Sequence, residues 1–120
     1  MLENFVEVNE RKYTENQQET IFKIDEQHEV FSGHFPDKPV TPGVVLIDLF
    51  KKEAEVFFQQ KLQLIELKNV KFIKPISPQK NSLLSLASSF SEEGEFIKII
   101  GKAFFQKELC TKLTLILKKV

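Results

Sequence analysis

The stretch "SGHFPDKPVTPGVVLIDLF", residues 32–50, contains the clearest helix-start signal of this 120-residue chain. It contains three of the chain's five prolines and one of its two histidines. Thr41 is a favourable N-cap, and Pro42 suits the first position of a helix. Since neither Gly nor Pro occurs from Val44 to Gln60, we predict a helix over that range. Its first part, "VVLIDLF", is apolar on nearly every side, which predicts that the helix is buried at its start and emerges towards its end.

Most of the remaining chain alternates apolar and polar residues, a pattern typical of β-strands. Candidate strands precede the helix at 4–13 and 20–25, separated by a polar loop at 14–19. Further candidate strands follow it at 62–76, 82–90, 95–105 and 109–120. Short turns between successive strands favour an antiparallel sheet. A helix of about 18 residues is ~27 Å long, so a long curved sheet wrapped around it would make an α+β fold in a single domain over residues 1–120.

The last candidate strand predicts how its side chains divide between the two faces of the sheet. One face would carry Leu109, Thr111, Leu113, Leu115 and Leu117, and the other Cys110, Lys112, Thr114, Ile116 and Lys118. Strict alternation therefore predicts that Cys110 lies on the face opposite the leucines.

Composition and charge exclude several classes of function. The formal net charge is zero, which argues against nucleic acid or an anionic membrane as the main partner. Cys110 is the single cysteine and there are two histidines, so we expect no disulfide within the chain and no metal site. The N-terminal residues carry acids early and do not resemble a signal peptide, and no run reaches the ~18 apolar residues of a membrane span. We therefore expect a cytoplasmic protein.

Asp48 is the one charged residue within the apolar first part of the predicted helix. An isolated carboxylate is costly to bury, so it must be paired, reached by water or protonated. Desolvation raises the pKa of an acid, which suits a proton donor that works near neutral pH. The alternative is that Asp48 lies on a solvent-facing stripe of the helix.

The segment "GHFPDKPVTPGVVLID" resembles the signature G-H-F-P-G-x-P-x-x-P-G-x-x-x-x-[E/D] of the β-hydroxyacyl-acyl-carrier-protein dehydratases, which have the hotdog fold. The matched positions are Gly33, His34, Phe35, Pro36, Pro39, Pro42, Gly43 and Asp48. With "LKNVKFIKPISP" and "GKAFFQKELCTKLTLIL", the resemblance covers about residues 20–117. The chain has Asp37 where the signature has Gly, and it has Lys52 where the family often has Gln.

The resemblance implies loss of water from a 3-hydroxyacyl thioester to give a trans-2-enoyl thioester. In this reaction His34 would be the general base, and Asp48 would be the acid or would orient the departing hydroxyl group. The backbone N–H of Gly43 would stabilise the negative charge on the thioester oxygen. From the residues alone, His34 could instead close a tight turn, and Gly43 could merely ease a bend. Phe31, Phe35 and Phe50 could line an acyl tunnel or belong to the core.

The resemblance also implies partners. The substrate would be presented by an acyl carrier protein, in fatty-acid or polyene-type biosynthesis, and no cofactor is implied. The family forms homodimers whose active sites are shared across the interface. Because the carrier protein is acidic, a basic rim is expected, for which Lys71, Lys74 and Lys80 are candidates. The alternatives are a hotdog acyl thioesterase and a non-catalytic homologue that binds the carrier.

Overall fold

In the part of the chain that the structure describes, a single sheet packs against one helix. The structure, a computed structural model, describes residues 6–25, 27, 43–77 and 82–120. Its elements are β1 (Val6–Tyr13), β2 (Gln17–Ile24), α1 (Gly43–Phe58), β3 (Leu62–Phe72), β4 (Leu83–Glu93), β5 (Phe96–Phe105) and β6 (Glu108–Lys119). All paired strands are antiparallel, and the sheet order is β1-β2-β4-β5-β6-β3. The predicted α+β arrangement is confirmed. Within the described residues, no helix is long and apolar enough to cross a membrane.

Helix α1 begins at Gly43, directly after the predicted N-terminal signals, and ends at Phe58. Its inner face buries Val45, Leu46, Leu49, Phe50 and Ala54 against the inner face of the sheet. The prediction that its first part is buried on all sides was wrong, because Val44 is 65% exposed. Asp48 and Lys52 follow Val44 at intervals of one helical turn, so the start of α1 presents an open stripe.

Gly101 in β5 brings the helix close to the middle of the sheet. A Cβ atom at Gly101 would lie 2.6 Å from Cε1 of Phe50 and 3.0 Å from Cδ1 of Leu113. Phe50 is fully buried, so the missing side chain is what lets its ring rest on the strand. This contact fixes the depth at which the first turns of α1 lie on the sheet.

Three strand boundaries differ from the prediction by three or more residues. Strand β3 ends at Phe72, before the predicted end at residue 76. Strand β2 begins at Gln17, so the polar loop predicted at 14–19 shortens to a tight turn, in which the Thr14 N–H donates to the Gln17 carbonyl at 3.0 Å. Strand β4 continues to Glu93, and the turn that follows it has Gly94 at a φ of 60°, a conformation that glycine adopts readily.

The predicted face of Cys110 was also wrong, since this residue is 1% exposed. The β5–β6 register steps from Ala103↔Thr111 to Phe104↔Leu109, which leaves Cys110 as an extra residue without a cross-strand partner. Such a bulge interrupts the alternation, so Cys110 and Thr111 both turn inward. The Cys110 thiol donates to the Ala103 carbonyl at 3.2 Å.

Candidate active site

Gly43 is the first residue of α1, where backbone N–H groups have no acceptor within the helix and the macrodipole is positive. The ring of Phe72, at the end of β3, lies against it. A Cβ atom at Gly43 would be 2.4 Å from Cζ of Phe72. The absence of a side chain therefore has a packing reason in this fold, in addition to the predicted role of its N–H group.

Asp48 lies about five residues along the helix from Gly43, roughly 7.5 Å along its axis. Its side chain is 33% exposed, and its Oδ2 atom is 3.2 Å from Nζ of Lys52. Of the alternatives for this carboxylate, the structure has it paired and partly reached by solvent. Its partner is Lys52, one of the positions at which the chain departs from the resembling family. The lysine side chain is itself 55% exposed, so this pair can exchange with a ligand.

The structure describes some of the other predicted site residues and not the rest. His34, Phe31 and Phe35 lie outside the described residues. Phe50 is fully buried against Gly101, and its role in an acyl tunnel stays a prediction. Of the residues that were candidates for the basic rim, Lys74 forms an ion pair with Glu108, Lys71 is exposed, and Lys80 lies outside the described residues.

A second carboxylate on α1, Glu53, was missed from the sequence. It is 6% exposed and is held by three hydrogen bonds. Arg11 on β1 donates through Nε to Oε1 at 3.0 Å and through its terminal nitrogen to Oε2 at 2.8 Å, and the Thr20 hydroxyl donates to Oε1. The hydrogen bond to Glu53 raises the pKa of Arg11, so the guanidinium stays charged wherever the protein is folded. This bidentate pair joins the edge strand to the helix.

A weak signal for the buried pair existed in strand β2. Its inward positions include Gln18 and Thr20, which are polar but buried at 3% and 0% exposure. Polar residues at core positions need partners. Thr20 has one in Glu53, whereas the amide of Gln18 has no hydrogen-bond partner within the described part of the chain.

The thiol of Cys110 is buried, and it donates a hydrogen bond to the Ala103 carbonyl. Burial raises the pKa of Cys110, which disfavours the reactive thiolate. Over residues 6–25, 27, 43–77 and 82–120, there is no group of three or more His, Cys, Asp or Glu side chains that could hold a metal ion.

Comparison with known proteins shows which family the chain resembles. Residues 9–103 match the ApeI-like family, described as ApeI dehydratase. The chain is 30% identical over 92 residues to the 3-hydroxyacyl-acyl-carrier-protein dehydratase FabZ of Rhizorhabdus wittichii, covering 68% of this chain and 57% of that protein. It is 29% identical over 94 residues to the FabZ of Geotalea uraniireducens, covering 71% of this chain and 64% of that protein. The chain thus spans about three fifths of the length of these relatives.

Solved structures share the fold. The dehydratase heterocomplex ApeI:P of Xenorhabdus doucetiae superimposes with a TM-score of 0.80 at 20% identity, covering 95% of this chain and 98% of that one. A hypothetical thioesterase of Streptococcus pneumoniae, solved with coenzyme A, gives 0.72 at 10% identity, covering 100% and 91%. The chain has the hotdog fold, and it belongs to the ApeI-like dehydratase family.

Proposed function

We propose that this protein dehydrates a 3-hydroxyacyl thioester carried by an acyl carrier protein. The observation that carries the proposal is the dehydratase-family match over residues 9–103, which includes both the His34 motif and the helix that exposes Asp48. The carboxylate lies in the second turn of a helix whose first residue, Gly43, has a backbone N–H without an intrahelical acceptor. An elimination reaction needs both groups.

In the proposed reaction, His34 removes a proton from the carbon next to the thioester carbonyl. The N–H of Gly43 stabilises the charge that develops on the carbonyl oxygen. The bond from the β-carbon to its hydroxyl group breaks. That group, oriented by Asp48, takes a proton either from the acid form of Asp48 or from His34, which holds the proton removed from the α-carbon. A double bond forms between the α- and β-carbons, and water leaves. A positioned base of this kind contributes about 10²–10⁴-fold to the rate.

Before substrate binds, the Asp48 carboxylate is engaged by the ammonium group of Lys52 at 3.2 Å. The substrate hydroxyl then competes with this lysine for the carboxylate. Since the pair is partly exposed, little free energy is needed to separate it. Lys52 therefore weakens the binding of the substrate hydroxyl to Asp48 and does not prevent it.

The site is completed by a second protomer in this proposal, with His34 from one chain and Asp48 from the other. Strand β3 is an edge of the described sheet, and Ile65 and Leu67 on it are 46% and 48% exposed. Pairing this edge with a copy of itself would satisfy its free backbone groups. The related structure from Xenorhabdus doucetiae is a heterocomplex, so a second dehydratase chain is the alternative partner. The cell compartment is proposed to be the cytoplasm, and the pathway fatty-acid or polyene-type biosynthesis.

The experiment is an assay of the purified protein with a crotonyl thioester, run in the direction of water addition. Loss of enone absorbance without release of free thiol is expected. Release of thiol would instead identify a thioesterase. His34→Ala should lower the rate at least about 10²-fold. Equal rates for this variant and the wild type would support a non-catalytic homologue and refute the proposal.

A further inference from the structure

Three lysines stand side by side on the outer face of the sheet. Lys71 of β3 is directly opposite Lys112 of β6, and Lys112 is directly opposite Lys102 of β5. All three are exposed. Directly opposed residues in an antiparallel ladder share a face and lie close together. We call Lys71, Lys112 and Lys102 the lysine row.

The charge of the lysine row is uncompensated. None of its three members forms an ion pair within the part of the chain that the structure describes, whereas Lys74, Lys118 and Lys119 each have an acidic partner. Beyond Lys102 the same line of the sheet continues through Ala87. It then reaches Glu19, which is opposite Lys12, and the ion pair of Lys12 is with Glu10. The excess charge is thus confined to β3, β6 and β5.

Like charges directly opposite one another destabilise a sheet, so the lysine row opposes folding. Lysine on an edge strand can prevent aggregation, and this would account for Lys71 on β3. It does not account for Lys112 and Lys102, because β6 and β5 are interior strands. In a chain whose net charge is zero, such a concentrated row indicates a binding surface for an anionic partner.

The spacing of the row favours one kind of partner. Neighbouring strands are about 4.8 Å apart, so the three lysines span ~10 Å across the sheet. Acidic residues one turn apart on a helix are about 5–6 Å from each other. A helix with acids on one face, lying across the strands, can therefore pair one carboxylate with each lysine. Nucleic acid would need a longer basic track than three residues.

The position of the row connects it to the candidate active site. Lys71 precedes Phe72, the last residue of β3, whose ring lies against Gly43. Successive residues of a strand point to opposite faces, so Lys71 lies on the outer face while Phe72 reaches the start of the helix. A partner on the lysine row is separated from Gly43 only by the end of β3.

We propose that the lysine row docks an acidic helix of the acyl carrier protein, whose thioester arm passes around the end of β3 to Gly43 and Asp48. This inference rests on the proposed function for the identity of the partner. It keeps Lys71 from the three residues expected for the basic rim, whereas Lys74 is already paired with Glu108. Lys80 lies outside the described residues and stays a prediction. The new members, Lys112 and Lys102, follow from the strand register alone.

The test uses the intact protein with Lys102→Glu and Lys112→Glu combined. The KM for substrate on the carrier protein should rise about tenfold, and the KM for the same acyl group on N-acetylcysteamine should stay within about twofold. Lys98→Glu is the matched control: Lys98 lies on β5 with Lys102, but it borders a groove of about 690 Å³ that also contains Glu66, Glu92 and Glu93. It should leave both KM values unchanged. An unchanged KM for carrier-bound substrate in the double variant would overturn the docking proposal.

Single substitution Lys112→Glu separates binding from folding. It creates opposite-charge pairs with Lys71 and Lys102, so the melting temperature should rise while the affinity for the carrier falls. A fall in both would overturn the proposal, because it would assign the row a structural role.

Direct binding of fluorescently labelled apo carrier protein makes the two proposals separable. Binding should weaken between about 50 and about 300 mM salt and in the double variant. If the wild type binds the carrier but dehydrates neither substrate, the docking surface stands and the proposed function fails. Suppose instead that the wild type dehydrates both substrates and that the double variant binds the carrier as tightly as the wild type does. The docking surface then fails and the proposed function stands. Loss in the double variant of binding to anionic phospholipid vesicles, with carrier binding retained, would also refute docking.

Discussion

Asp48 and Glu53 are carboxylates five positions apart on helix α1, yet their surroundings are opposite. The Glu53 side chain is 7% exposed and both of its oxygens are held by Arg11, with Thr20 as a further donor. Asp48 is 33% exposed, and among the residues that the structure describes its ion-pair partner is Lys52, a neighbour on its own helix. A carboxylate whose two oxygens already accept hydrogen bonds from neighbouring side chains is not free to bind a substrate. The helix thus uses Glu53 as an anchor and keeps Asp48 accessible.

The largest expected effect that separates the two is on catalysis. Asp48→Asn should lower kcat for a crotonyl thioester by about 10²-fold or more, because an amide replaces the carboxyl group that orients the hydroxyl or gives it a proton. The melting temperature should change little, since an exposed ion pair contributes little to stability. Steady-state kinetics and thermal unfolding of the same preparation test both statements. A variant that retained the wild-type rate would show that Asp48 is dispensable.

Glu53→Gln should have the converse effect. Breaking a buried ion pair costs about 3–5 kcal/mol, and we expect the lower limit, about 3 kcal/mol, because the Arg11 side chain keeps 24% of its surface exposed. Urea unfolding measures this loss, and kcat of the folded protein should change by less than about threefold.

A double variant is the control for this interpretation. Arg11→Met combined with Glu53→Gln removes both charges, so it should lose less stability than the sum of the two single substitutions. Strict additivity would mean that the two side chains do not act as a pair.

Two glycines extend the comparison. Gly101 in β5 packs against the buried Phe50 of α1, whereas Gly43 at the start of α1 packs against the exposed Phe72. Gly101→Ala should cost about 2 kcal/mol, because the new methyl group meets Phe50, which is fully buried and has no room to move. Gly43→Ala meets the far end of Phe72, which is 54% exposed and can rotate into solvent. Its cost in urea unfolding should therefore be clearly smaller. Equal losses would show that Phe72 is held more firmly than its exposure indicates.

The sequence predicted those features that depend on neighbours along the chain. The start of α1 follows from Thr41 and Pro42, and the strands follow from alternation and turns. Glu53 could not be predicted, because its partner Arg11 is 42 positions away and only the packing of β1 on α1 brings them together. "KKEAEVFF" looks like a mixed surface segment for the same reason.

Cys110 shows a second limit of prediction from sequence. Its side chain is turned inward by one unpaired residue in the β5–β6 ladder. A bulge of this kind depends on the register of two strands and leaves no mark in the alternation of either strand alone.

Lys52→Gln tests how far Asp48 is held back by its partner. Removing the ammonium group 3.2 Å from Oδ2 should free the carboxylate for the substrate hydroxyl and raise kcat/KM by about two- to fivefold. Lys51→Gln is a matched control on the adjacent position. It removes the same charge and a similar pair within the helix, that between Lys51 and Glu55 at 4.0 Å. Its kcat/KM should equal that of the wild type. An equal rise in both variants would assign the effect to net charge and not to Asp48.

Glu108 on β6 is a third carboxylate, and it is exposed. Its substitution should have the smallest effect on stability of those considered. Hydrogen bonding and charge from Lys74 lower the pKa of Glu108 below its ordinary value. A lowered folded-state pKa gives stability that is present above the unfolded-state pKa and is lost as the pH falls through the folded-state pKa. Glu108→Gln should therefore melt slightly below the wild type at neutral pH, and the two curves should converge as the pH falls from about 7 to about 3. Added salt should reduce the difference at neutral pH, since an exposed pair is screened. A difference in melting temperature that persisted near pH ~3 would have to come from the packing of the glutamate side chain. Exposure would then no longer distinguish carboxylates that anchor the fold from those that are accessible to a ligand.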